Sequence, residues 1–81
     1  MARISAATLE TSLNGSDTNR RYFQVDKSVA LSTTTDMFHV TALTYDATRS
    51  TVRSGTTRWC ATTNTGTTAQ QRDEVYTAMA N

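Results

Sequence analysis

At 81 residues the chain has room for one domain, residues 1–81, with a thin core, and chains of this size lean on metals, disulfides or self-association. A single cysteine, Cys60, excludes an internal disulfide, and one cysteine with one histidine, His39, excludes a structural zinc site within one chain. A formal net charge of +1 excludes the broad electrostatic footprint of a strong nucleic-acid binder, so any basic surface must be local.

Self-association is then the remaining support for so small a core. Two biases of composition bear on what it would serve. There are 18 threonines with 7 serines beside them, and threonine is a β-branched residue that suits a half-buried sheet face. There are 7 arginines against the single lysine Lys27, and arginine is the better residue for bidentate phosphate contacts and interface ion pairs. No apolar run is long enough to span a membrane. The opening MARISAATLETSLNG has one basic residue and none of the apolar stretch of a secretory signal, so the protein is expected to be made in a cytosol.

In chain order, residues 2–13 are readable in two ways. Ala6, Leu9 and Leu13 have helical spacing, while Asn14-Gly15 is a strong hairpin signal if strands flank it. The threonine bias tilts the expectation toward strand, turn and strand, with a short helix ending at Gly15 as the alternative. Residues 16–21 are turn-like. Residues 21–32 alternate as a half-buried strand, with Phe23, Val25, Val29 and Leu31 on one face and a bend near Asp26-Lys27. STTTD at 32–36 is a turn.

Residues 37–46 form the clearest strand. Phe38, Val40 and Ala42 point one way, and Met37, His39, Thr41, Leu43 and Tyr45 the other. Both sets are fairly apolar, which marks a central strand. DATRS at 46–50 reads as a hairpin loop, and 51–62 as a third strand with Trp59 and Ala61 toward the core. Gly55 signals a bulge or a close backbone approach. A helix closes the chain. Thr67 with Gln70, or Thr68 with Gln71, has capping-box spacing, and Ala69, Arg72, Val75, Tyr76 and Met79 share a face. So short a helix is marginal alone and needs a sheet or a partner chain over its apolar stripe. Val75, Tyr76 and Met79 are therefore the expected dimer interface.

The sum is α+β: a three-strand antiparallel meander, a hairpin or short helix before it and one helix after it, completed by dimerisation. No catalytic constellation, metal set, cofactor loop or small-molecule site is evident, and the chain is read as a non-enzyme. Cys60 reads as a small buried hydrophobe, with pairing to a second chain as the alternative. The chemistry that strand alternation does offer is a sheet face. Thr41 and Tyr45, with Thr56 and Arg58 beside them (or Arg53 and Thr57 in the other register), are the expected RNA-contacting residues. Such a face stacks unpaired bases and holds phosphates. The plainer alternative makes Tyr45 and His39 core or interface residues and leaves the arginines solvated.

VRSGTTRWCATTNTGTTAQQRDEVYTAM runs from a last strand through an Asn/Thr turn into a helix that opens with threonine and amide residues followed by arginine. In this it resembles the end of the coat proteins of single-stranded RNA bacteriophages, the leviviruses. LETSLNGSDTNRRYFQVDKSV resembles one of their sheet hairpins. The resemblance implies two chains paired edge to edge into one sheet, each helix crossing onto the partner's sheet, and dimers closing into an icosahedral shell. It implies RNA against the inner sheet face, and a virion protein made in the host cytoplasm whose partners are itself and RNA. Members of that family carry a second helix after the first, and here there is one.

Two other readings stand beside the coat protein. If residues 4–13 are helical the order is α-β-β-β-α, that of double-stranded-RNA-binding domains, though the last helix opens with Thr67, Thr68, Gln70 and Gln71 in place of that family's lysines. The other is a small phage accessory or inhibitor protein that binds another protein.

Overall fold

The computed structural model describes residues 3–16, 21–45 and 51–80. Its elements are α1 (Ala6–Ser16), β1 (Arg21–Ala30), β2 (Thr35–Tyr45), β3 (Val52–Thr63) and α2 (Thr68–Ala80). The strands form one antiparallel sheet in the order β1-β2-β3. The α+β meander with a closing helix is therefore the architecture. The loop expected at 46–50 lies outside the described residues, as does most of the turn before β1.

Residues 2–13 were expected to favour a strand, and the structure instead has the helix of the alternative reading. Ser5 begins it: its hydroxyl accepts the Thr8 N–H at 3.1 Å, an N-cap bond. Asn14-Gly15 makes no hairpin because the Asn14 side chain is engaged elsewhere. Its amide donates to the Phe23 carbonyl at 3.0 Å and accepts the Phe23 N–H at 2.8 Å. One turn earlier, Glu10 accepts the Val25 N–H at 2.8 Å. Side chains four residues apart on one helix face thus meet backbone groups two residues apart on the outer edge of β1.

Both helices lie on one side of the sheet. Leu9 and Leu13 of α1 and Val75 of α2 close over Phe23, Val25, Phe38, Val40, Ala42 and Cys60. Tyr76 meets Phe23 edge-to-face, with ring centroids 5.7 Å apart, and donates its hydroxyl to the Leu13 carbonyl at 2.8 Å. The guanidinium of Arg21 lies 5.1 Å from the Phe23 ring and 5.6 Å from that of Tyr76.

Two corrections concern alternation. The register slips between Val25 and Lys27, so one extra residue inverts the facing of everything after it. Val29, expected beside Phe23 and Val25, pairs with Met37 on the far face and is exposed, and Leu31 is exposed as well. On β3 the buried residues are Cys60 and Thr62, so Trp59 and Ala61 face away from the core.

The last helix starts with the Thr67 capping box. Gln70 accepts the Thr67 N–H at 2.8 Å, and Thr67 accepts the Gln70 N–H at 3.1 Å. Its inward stripe is rotated from the expected one. Ala69 is exposed, and Gln71 is buried with Val75. A glutamine is tolerated there because its amide is used at both ends, accepting from the Thr62 hydroxyl at 2.9 Å and donating to the Gly66 carbonyl at 3.1 Å. A second polar knot gathers the turns. Buried Asp36 takes Arg3 and the Asn64 amide, and Asn64 also reaches the Thr33 carbonyl at 3.2 Å.

Replacing Asn14 with alanine removes two bonds and strips the guard from β1. The expected loss is about 1–3 kcal/mol in urea unfolding. An Asn14→Ala protein as stable as the parent would mean that the Asn14 bonds to Phe23 do not hold the helix to β1.

Candidate nucleic-acid interface

With the helices on one side, the other side of the sheet is bare among the described residues. Cross-strand pairing sets its side chains in rows. From one end these are Val29, Met37 and Ala61; then Lys27, His39 and Trp59; then Gln24, Thr41 and Thr57; then Tyr22, Leu43 and Gly55; and last Tyr45 and Val52. Tyr22, Val29, Val52 and Trp59, all on this side, are 40–50% exposed. Apolar ends thus flank a polar, aromatic middle.

The middle rows are tied together. The His39 and Trp59 rings sit 4.8 Å apart at a tilt of 51°. His39 Nδ1 lies 2.7 Å from Asp26 Oδ1, and since a carboxylate only accepts, the proton is on the ring nitrogen. Asp26 is the residue at which the register slips, and the slip is what turns its carboxylate toward the imidazole. That hydrogen bond holds the Asp26 carboxyl below the usual aspartate range, with the neighbouring charges adding to it. In the next row the Thr41 and Thr57 hydroxyls are 2.9 Å apart. In the one after, Gly55 leaves room for Leu43, whose Cδ2 would stand 3.0 Å from a β-carbon at that position.

The expected RNA-contacting residues divide between the two sides. Thr41 and Tyr45 lie on the bare face. Thr56 pairs with Ala42 and Arg58 with Val40, so both lie on the helix side, where they are exposed. Of the two registers open to the sequence, the one with Thr57 beside Thr41 is present. Trp59 and Asp26 were missed as members of this face. Alternation alone sets Trp59 on one side of the strand without saying which side is the core, and the burial of Cys60 and Thr62 places it on the bare face. Asp26 was visible as a bend, and its partner was not.

The expected dimer stripe is used within the chain. Val75 is fully buried, and Tyr76 and Met79 pack on the same core. Cys60 is also buried there, and burial pushes its thiol up against the opposing effect of Arg58. Elsewhere, a hollow of about 420 Å³ lies between α1 and the start of α2, lined by Ala7, Thr8, Thr11, Ser12 and Thr68, with no titratable group on its wall. Among the described residues no cluster of His, Cys, Asp and Glu is arranged to hold a metal ion, and no helix is long and apolar enough to cross a membrane.

The edges of the sheet differ as much as its faces. Asn14, Glu10 and the slip at Asp26 occupy β1. On β3, Glu74 accepts the Thr63 N–H at 3.1 Å, while the Asn64 N–H turns inward to the Thr34 carbonyl at 2.9 Å. Backbone groups alternate along a strand, so Gly55, Thr57, Trp59 and Ala61 also point theirs outward. Among the described residues nothing but Glu74 caps that edge, and Val52 to Trp59 are all exposed.

Comparison with protein-family models, with curated proteins and with solved structures gave no match to this chain.

The Asp26–His39 bond has a measurable signature. A depressed carboxyl contributes its stabilisation above the unfolded value near 3.8 and loses it as pH falls through the lower folded value. In carboxyl NMR titrations Asp26 should titrate below that value in the parent and return toward it in His39→Gln. An unchanged Asp26 titration would mean that the two side chains are apart in solution.

Proposed function

We propose that this chain is a viral coat subunit that pairs with copies of itself, assembles into a shell and lays the bare sheet face against RNA. The observation that carries the reading is β3: a 12-residue strand with its 52–59 stretch exposed on both sides and its outer backbone groups uncapped. Isolated edges of this kind are templates for pairing, and proteins that remain monomeric block them. Here one edge is capped at Phe23 and Val25 and interrupted by the slip at Asp26, while the other is uncapped from Gly55 to Ala61 among the described residues. Antiparallel pairing of β3 with a second β3 joins two three-strand sheets into one and leaves both helix layers on one side. The resemblance of residues 51–80 to levivirus coat proteins supports the same reading. Because α2 covers its own chain's core, the dimer contact moves from Val75, Tyr76 and Met79 to the β3 edge.

A second reading is favoured by one observation. The element order α-β-β-β-α is that of double-stranded-RNA-binding domains. It implies a small species whose affinity for duplex RNA falls steeply with salt.

Size-exclusion chromatography with light scattering separates the two. The coat reading expects large particles absorbing strongly at 260 nm. A single species near the 8.9 kDa chain mass with a protein spectrum would overturn it.

Thr57→Pro sharpens the test. The lost N–H points outward, so the proline removes no backbone bond of the sheet, only the hydroxyl contact with Thr41, and proline is tolerated on such an edge. The expected product is folded by circular dichroism and unassembled. Normal particles from Thr57→Pro would contradict pairing through β3.

A further inference from the structure

The row Lys27–His39–Trp59 crosses all three strands on the bare face. Trp59 is 47% exposed, so His39 covers part of the indole and leaves much of it open to solvent. An exposed indole on a sheet is a platform for an unpaired base, because every base has a π-face to offer. Beside it the Thr41–Thr57 hydroxyl pair has one O–H to give after its internal bond, which suits a base edge or a phosphate oxygen.

The charges around the platform are few. From β1 they are Asp26 and Lys27. From β2 the titratable group is His39 itself. From β3 the facing residues are Thr57, Trp59 and Ala61, none charged, with Arg58 on the opposite side of the sheet. With His39 neutral, Asp26 and Lys27 cancel. With His39 charged, Asp26 is cancelled by the imidazolium and Lys27 is left to attract a phosphate. Histidine is the side chain whose charge changes in the physiological range.

Resting on the reading of the bare face as an RNA surface, we propose that Trp59 is a stacking seat for an unpaired RNA base and that the Asp26–His39 pair makes its occupancy depend on pH. The occupant is single-stranded, since a base within a duplex has no free face to lay on the indole. RNA is held more tightly when the imidazole is charged than when it is neutral.

Trp59 is the one tryptophan of the chain, so its fluorescence reports stacking directly. The experiment uses the full chain stripped of nucleic acid at high salt and titrated with a short single-stranded oligouridylate, at about pH 5.5 and about pH 8, reading tryptophan quenching and RNA anisotropy together. The expected result is quenching on binding, with affinity higher by about fivefold or more at the lower pH. His39→Gln removes the pH dependence. Asp26→Asn, exposed and free to fold, tightens binding at the higher pH by removing the negative charge. Trp59→Leu weakens binding at both.

Quenching with the same affinity at both pH values would overturn the pH-dependent seat and leave the RNA face standing. Binding without quenching, unaffected by Trp59→Leu, would overturn the seat and move RNA to the helix side. No binding by any form at either pH would overturn the RNA reading itself, and this inference with it.

Discussion

A residue advances about 3.3 Å along a strand and 1.5 Å along a helix. This difference governs the molecule. The 13 residues of α2 extend roughly 20 Å, while the 12 residues of β3 extend about 40 Å, so one helix cannot cover the strand it follows. The structure shows the outcome: a body 41 Å long and about half as wide, with Cys60 and Thr62 covered and 52–59 bare. The chain has apolar side chain for one core layer, and that layer is used between the helices and one side of the sheet. The other side is then left to serve as a surface.

The polar side chains follow the same division. Asn14 and Glu10 cap β1 at Phe23 and Val25, where α1 runs beside it, and Glu74 caps only the last residue of β3. What remains open is contiguous: the outer edge from Gly55 to Ala61, and the rows that contain Thr57 and Trp59. An assembly contact and a nucleic-acid contact can therefore adjoin on one strand without competing for the same groups, one using backbone and the other side chains.

Much of this was legible in the residues. The alternation of Phe38, Val40 and Ala42 against His39, Thr41 and Tyr45 placed β2 at the centre with its facing intact, and Thr67 with Gln70 marked the start of α2. The failures have physical causes. The period of a strand is two, so the single extra residue at Asp26 moved Val29 to the other face. Gln71 took a core position because Thr62 and Gly66 supply partners that are distant until the chain is folded. Asn14-Gly15 carries a hairpin signature, and what overrides it is a contact with Phe23 nine residues on. Alternation on β3 fits either parity, and the one expected, with Trp59 inward, is the reverse of the one formed, in which Cys60 lies beneath the helix. The RNA-contacting set inherited that parity error and was divided between the faces. Side chains whose roles depend on long-range partners were hidden, and local period was a sure guide only on β2, where no extra residue intervenes and the facing is intact.

The low net charge is consistent with the proposed RNA contact, which rests on one row of the sheet and needs no broad field. Hydrogen–deuterium exchange by NMR, residue by residue, tests the central claim that β3 is the edge left open for a second copy. In dilute, dissociated protein the amides of Gly55, Thr57, Trp59 and Ala61 should exchange quickly, and in concentrated, assembled protein they should become protected. Phe23 and Val25, capped in both states, should not change. Equal exchange of the β3 amides in the two states would contradict the account, and protection appearing at the β1 edge would contradict it outright.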